Sequence, residues 1–309
     1  AYDDNSNVIG VGHLLSGSTK EWEYGHNNND NNIFERNLHR PTRSRQFDYD
    51  DYNRLLEFKR GTLNGAVINA PNKSVAYAYD GANNRTALTV DANPTNYTTN
   101  NLNQYTALTG SGAATLSYGA NGNLENDGVY TYGYDYANRL AEVDNGSTAR
   151  YLYDALERRI AKVIGTDTTL YFYSMLRLVE EQSALGATEA LYVYGVDSDE
   201  VLLSEKGSSR YFYHHNAIGS TVLLSDDSGQ LVEQYDYDAY GAVSFFDAAD
   251  SPLVSSAVGN PILFTGQYYD TEVGLYYFRA RHYAPALGRF LQRDPLDYAD
   301  GPSLYEYTF

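Results

Sequence analysis

A block of aromatic-x-Tyr-Asp, then a few polar residues with Asn or Gly, then Arg beside an apolar residue, recurs along the chain. It reads Phe47-Asp48-Tyr49-Asp50 with Arg54-Leu55, Tyr77-Ala78-Tyr79-Asp80 with Arg85, and Tyr132-Gly133-Tyr134-Asp135 with Arg139-Leu140. Further copies start at Tyr151, Tyr171, Tyr192, Tyr211 and Tyr235. Copies lie about 20 residues apart, enough for two short strands and two turns. Side chains alternate along a strand, so aromatic-x-aromatic puts both rings on one face. The Asp, Asn and Gly residues that follow supply turn chemistry, by tolerating positive φ or by capping with a side-chain oxygen. Each unit is thus a β-hairpin that cannot bury its aromatic face alone, and stacking hairpins side by side makes tyrosine ladders. The predicted fold class is all-β: stacked antiparallel hairpins in one spiralling sheet, a partial shell or barrel-like wall. No stretch holds a 3.6-residue apolar period over three turns, so helix is expected to be scarce.

Composition narrows the functions open to such a wall. The 309 residues include 32 tyrosines against one tryptophan and one methionine. Tyrosine suits strands with one dry and one wet face, and its burial replaces the aliphatic burial of an ordinary enzyme core. A net charge of -18 argues against nucleic acid and anionic membrane surfaces as partners. The absence of cysteine removes disulfides, zinc-thiolate sites and cysteine nucleophiles. No window approaches a membrane-spanning apolar run, and Ala1-Tyr2-Asp3-Asp4 has no signal-peptide character. The start reads like the middle of a repeat, as in a processed product or a fragment of something longer.

Two stretches break the pattern. Residues from about 20 to 45 are rich in Asn, Asp, His and Arg and are expected to form a long mobile loop or irregular insertion. Asp247 to Gly259 mixes Ala, Ser, Asp and Pro and reads as a connecting loop. The expected organisation is a hairpin array over 1–246 and a distinct C-terminal segment over 247–309.

That segment carries the most specific signal. It reads Asn260-Pro261, Phe264-Thr265-Gly266-Gln267-Tyr268-Tyr269-Asp270, Glu272-Val273-Gly274-Leu275-Tyr276-Tyr277 and Arg279-Ala280-Arg281-His282-Tyr283. It continues through Gly288-Arg289-Phe290-Leu291 and Asp294-Pro295 to Leu304-Tyr305-Glu306-Tyr307. In order and spacing this resembles the Rhs repeat-associated core domain, and the repeats before it resemble the YD repeats of Rhs proteins, Tc-toxin shell subunits and teneurins. The resemblance implies a sheet that spirals into a hollow shell around a polypeptide, in bacterial members usually a C-terminal toxin. It further implies a C-terminal plug, an end near Phe309 directed inward, secretion or display at the cell surface, and aspartyl self-cleavage shortly after the Asp-Pro motif. Partners would be the enclosed polypeptide and further copies or neighbouring chains of the parent protein. The family often has arginine before Phe-Thr-Gly, where this chain has Leu263.

By that resemblance Asp270 and Asp294 are the candidate self-cleavage pair. Two close carboxylates share a proton, so one activates water while the other protonates the scissile carbonyl. Arg281, with Arg279 and Arg289, is a candidate supporting cation, although such arginines commonly pair with strand carboxylates and stack on tyrosines. The bland readings are a turn cap for Asp270 and an Asp-Pro turn for Asp294. At most this is a single-turnover aspartyl autoprotease, with no cofactor and no metal. His214-His215 lack a third ligand at a usable spacing and fall in the family's Tyr-His-x-Asn-x-x-Gly-Ser strand. The Asp-rich stretches 48–51 and 236–238 lack the loop of a calcium site, and the glycosylation triplets at Asn72, Asn84, Asn96 and Asn145 are expected by chance in so Asn-rich a chain. The leading function is a structural shell or scaffold that encapsulates or presents a polypeptide. The alternatives are an extracellular adhesion or filament subunit built from the same sheet, and a carbohydrate-binding module using exposed tyrosines.

Overall fold

The computed structural model describes residues 1–299 and 301–307. Phe309, the end expected to turn inward, lies outside them. The chain divides into two compact units, Ala1–Thr115 and Leu116–Phe309. The first holds a ten-stranded antiparallel sheet whose strands follow one another in chain order, from Gly10–Leu15 to Ala114–Thr115. The second holds a thirteen-stranded sheet of the same kind, from Tyr132–Tyr134 to Pro252–Leu253. It also contains the small pair Ser117–Tyr118 and Leu124–Asn126, and a four-stranded sheet from Tyr268–Asp270 to Arg289–Phe290. Among the described residues there is no α-helix, only three-residue 3-10 turns.

The repeat translates into backbone geometry residue by residue. The Asp after the second aromatic turns the chain. Asp135 Oδ1 accepts from the N–H groups of Ala137 (2.9 Å) and Arg139 (3.0 Å), and Asp154 does the same for Leu156 and Arg158. The residue three after the Asp sits in the left-handed region, as at Asn53 (φ 62°), Asn83 (62°) and Asn138 (63°), which is why Asn recurs there. The fifth residue reaches into the neighbouring turn: Arg139 Nη1 donates to Asp154 O (3.2 Å), and Asn31 Nδ2 donates to Asn53 Oδ1 (2.8 Å). One edge of each sheet is therefore stitched turn to turn.

The two aromatics share a face, as alternation requires, but they do different work. The first ring, as in Tyr77, Tyr151, Tyr171 and Tyr192, is buried in the core. The second stands at a bulge, where pairing skips a residue and the ladder is disturbed. Its hydroxyl then donates to a backbone carbonyl of the preceding hairpin: Tyr79 to Leu55 O (2.9 Å), Tyr153 to Leu140 O (2.7 Å), Tyr173 to Arg159 O (2.8 Å) and Tyr194 to Leu178 O (2.9 Å). The tyrosine of the Tyr-Asp pair thus locks each hairpin to the one before it, which phenylalanine could not do. Tyr153→Phe is expected to lower stability in urea denaturation by about 1–2 kcal/mol, the worth of a hydrogen bond plus a stranded acceptor. Tyr136→Phe, at a ring 95% exposed, is the control and should change stability by under about 0.5 kcal/mol.

The stretch 20–45 departs from the expected loop. It forms strands Ser18–His26 and Asn32–Asn37, a 3-10 turn at Pro41–Arg43 and the start of strand Ser44–Tyr49. Trp22 and Tyr24 are buried on alternating positions, and Asn27 Oδ1 caps the turn by accepting from Asn29 N and Asn31 N. A buried Glu35–Arg45 pair at 3.1 Å joins strand Asn32–Asn37 to strand Ser44–Tyr49. The polar composition there hid a regular hairpin. In the stretch Asp247 to Gly259, Asp247 ends strand Val243–Asp247 and caps a turn, Pro252–Leu253 is a two-residue strand, and the rest is a connection.

Candidate functional site

Two polar clusters lie in the second unit, and each contains one of the carboxylates singled out in the sequence. The first is closed. In the repeat, the residue after the turn's fifth position is a core residue, Leu55 in one hairpin and Leu140 in another. In the Asp80 hairpin that position is Arg85, and in the Asp154 hairpin it is Arg159. Its guanidinium is enclosed by the rings of Tyr151 (5.1 Å), Tyr171 (5.1 Å), Tyr268 (4.8 Å) and Tyr277 (4.5 Å). Arg159 Nη1 lies 2.5 Å from Asp270 Oδ2, with side chains 1% and 0% exposed. Lys162 Nζ adds contacts to Asp270 Oδ1 (3.2 Å) and Glu272 Oε1 (3.0 Å). Strand Arg159–Ile164 of the large sheet is thereby clamped to strand Tyr268–Asp270 of the small one.

Burial alone would push the Asp270 carboxyl up, but Arg159 and Lys162 outweigh it and hold the group below its ordinary value. Glu272 moves the other way, raised by burial and by the charge of Asp270. A carboxylate held by two cations is a weak proton acceptor, so this cluster is suited to clamping.

The second cluster is open. A cleft of about 460 Å³ is lined by Asp199, Gln267, Arg279, Arg281, Asp294 and Glu306, among others, and Asp270 is not one of its lining residues. Arg281 Nη2 lies 2.8 Å from Asp294 Oδ2, and its guanidinium stacks 3.7 Å from the centre of the Phe290 ring. Asp294 also caps its own turn: Oδ1 accepts from Leu296 N (2.8 Å), and Asp297 stands at φ 55°. Its backbone N–H donates to Leu304 O (2.8 Å), which brings the segment around Leu304 against it. Arg279 pairs with Asp199, so the cleft carries two cations from the hairpin of Leu275–Phe278 and Arg281–Ala284. Leu263, at the position where the family often has arginine, is wholly buried, and its carbonyl accepts from Thr221 N (3.1 Å).

Of the residues singled out in the sequence, Arg281 and Asp294 are in contact, while Asp270 is engaged by different cations. Arg159, Lys162, Asp199 and Glu306 were not singled out. Arg159 did leave a trace: Arg158-Arg159 doubles the single arginine of the Asp50 and Asp135 copies, so a charge falls on a core position. Nothing local marks Asp199 or Glu306 as neighbours of Asp294.

Tyrosine-laddered hairpins in chain order, with a C-terminal four-stranded block clamped to them, define a YD-repeat wall. The chain belongs to the Teneurin YD-shell family, whose model matches residues 59–301. It is 35% identical over 237 residues to the tRNA nuclease WapA of Bacillus subtilis (strain 168), covering 74% of this chain and 10% of that protein. It is 32% identical over 216 residues to the toxin protein Tse5 of Pseudomonas aeruginosa, covering 57% of this chain and 16% of that one. Among solved structures, a TcdB2-TccC3-Cdc42 crystal structure aligns over 100% of this chain and 20% of its own, at 18% identity and a TM-score of 0.48. The chain thus spans only a small part of the relatives it matches.

Proposed function

We propose that this chain is a segment of a secreted or surface-displayed YD-repeat shell that encloses or presents a polypeptide of the toxin class, and that its C-terminal block is a self-cleaving plug. The shell reading is carried by the clamp: Arg159, at a repeat position that is leucine in the Asp50 and Asp135 hairpins and arginine in the Asp80 hairpin, is buried against Asp270 of the C-terminal block. A wall that spends a buried charge on this contact is built to hold that block in place. The similarity to WapA, a tRNA nuclease, and to the toxin Tse5 agrees with a polypeptide cargo.

For the self-cleavage, the geometry favours Asp294 with Glu306, which line one cleft, over Asp294 with Asp270. One carboxylate takes a proton from water, whose oxygen attacks the scissile carbonyl carbon. The other, protonated, donates to the carbonyl oxygen. The C–N bond then breaks, the proton passes to the leaving nitrogen, and a new carboxyl and a new amine result. Arg281 holds the Asp294 carboxylate in place.

The test is intact-mass analysis of the full chain followed by a C-terminal reporter peptide. Wild type is expected to release the reporter. Asp294→Asn, which retains the oxygen that caps the turn, is expected to leave the fusion whole. If the two end at the same residue, self-cleavage is wrong.

A further inference from the structure

The segment that faces Asp294 is held in one register. Asp294 N–H donates to Leu304 O (2.8 Å), Phe290 N–H donates to Tyr305 O (3.0 Å), and the Glu306 backbone pairs with that of Arg289 in an antiparallel β-bridge. Its two tyrosines then go to chemically different seats. The Tyr305 ring lies against Tyr118 (5.6 Å) and the guanidinium of Arg289 (5.6 Å), and its hydroxyl donates to Gly122 O (2.6 Å). That seat offers an acceptor and a cation.

The Tyr307 seat is built from rings. Tyr283 lies 4.5 Å away, Phe278 5.7 Å, Phe290 5.9 Å and Phe264 6.1 Å, centroid to centroid. These rings come from three separate places: the Phe264–Gly266 turn, the hairpin of Leu275–Phe278 and Arg281–Ala284, and strand Arg289–Phe290. The Tyr307 hydroxyl is hydrogen-bonded to Thr265. Tilted and edge-on rings at these separations attract beyond their buried area. Phe278 and Phe290 also line the cleft that contains Asp294 and Glu306, as does Tyr307 itself.

We propose that Phe264, Phe278, Tyr283 and Phe290 form a recognition pocket for the aromatic side chain of Tyr307. Seating that ring fixes the register in which the segment is presented to the cleft carboxylates. The ligand class is an aromatic residue of the chain itself, one residue after an acidic one. A shift by two residues would bring either Ser303 to the polar seat or Phe309, which has no hydroxyl for Thr265, to the cage, so only one register fills both seats with tyrosine. The catalytic consequence rests on the self-cleavage reading above. A ring that stays seated after the cut also occupies the site, which accounts for a single turnover.

Two readouts on Tyr307→Ala and Tyr307→Phe test this. Hydrogen exchange needs no cleavage: the amides of Phe290 and Asp294 are expected to exchange at least about tenfold faster in Tyr307→Ala and near the wild-type rate in Tyr307→Phe. Reporter release is expected to slow about 100-fold in Tyr307→Ala, the scale of a mispositioned reacting group. In Tyr307→Phe it should stay within about fivefold, the worth of one neutral hydrogen bond. Unchanged exchange in Tyr307→Ala overturns the pocket. Faster exchange with wild-type release overturns its role in registration. If wild type releases no reporter, the self-cleavage reading fails, and the exchange arm still decides the pocket.

Discussion

Arg159→Met is expected to destabilise the protein by about 3–5 kcal/mol, because it leaves the Asp270 carboxylate buried without its main counter-charge. Methionine fills much of the space among the four tyrosine rings, so the loss is electrostatic rather than a cavity. Burying a carboxylate is costly, and only the pairing holds Asp270 ionised in the folded state. Lys162, at 3.2 Å, is shared with Glu272 and does not replace the arginine alone.

Two comparisons make the result decisive in urea denaturation. Arg158→Met removes the adjacent arginine, whose pair with Asp154 is partly exposed, and should cost under about 1 kcal/mol. Arg159→Met combined with Asp270→Leu should recover most of the loss, since replacing both partners of a buried pair with apolar residues is often neutral or better. An Arg159→Met cost no larger than that of Arg158→Met would mean that the pair does not hold the block. Asp270 also adds an acid limit. Its carboxyl is held below its ordinary value, so its contribution is present above about pH 4 and is lost as pH falls through the depressed value.

A steeper loss on mild acidification is expected from His282. This imidazole is fully buried between the rings of Tyr151 (5.5 Å) and Tyr277 (5.4 Å), and neither ring nitrogen has a hydrogen-bond partner. Burial pushes it down to about 3, despite the attraction of Asp270. The folded protein therefore keeps it neutral while the unfolded chain protonates it near pH 6.5. Stability from this group is present above pH 6.5 and falls as pH drops, by about 2 kcal/mol between pH 6.5 and pH 5.

His282→Phe keeps an aromatic ring and the backbone N–H that donates to Gln292 Oε1 (2.8 Å), but removes the titration. Denaturation at the two pH values should show the wild type losing about 2 kcal/mol more than the variant. His39, in the first unit, is pushed down to about 4 by burial and by Lys20 and Arg40, and it titrates in both chains. The difference between the chains therefore isolates His282. Equal acid slopes in the two would rule out a buried neutral imidazole.

Much of the fold was legible because its rules are local. Aromatic-x-Tyr needs only alternation to place two rings on one face, and Asp followed three residues later by Asn needs only one capped turn with one left-handed residue. The stretch 20–45 escaped that reading because its hairpin buries a Glu35–Arg45 pair, and a charged pair in a core looks like surface when read along the chain.

The candidate site divides in the same way. The order of motifs marked Asp270, Arg281 and Asp294, since motif spacing is a property of the chain. Which cation meets which carboxylate depends on strands that pair far apart in sequence: Arg159 and Asp270 are 111 residues apart. The sequence by itself determined the hairpin, its turn and the face its tyrosines take, because these follow from side-chain alternation and from the φ that each turn residue tolerates. Only the tertiary structure decided that Asp270 is clamped in the core while Asp294 lines an open cleft that Glu306 also lines. Burial and counter-charge, which set what a carboxylate can do, belong to neighbours that the linear order does not name.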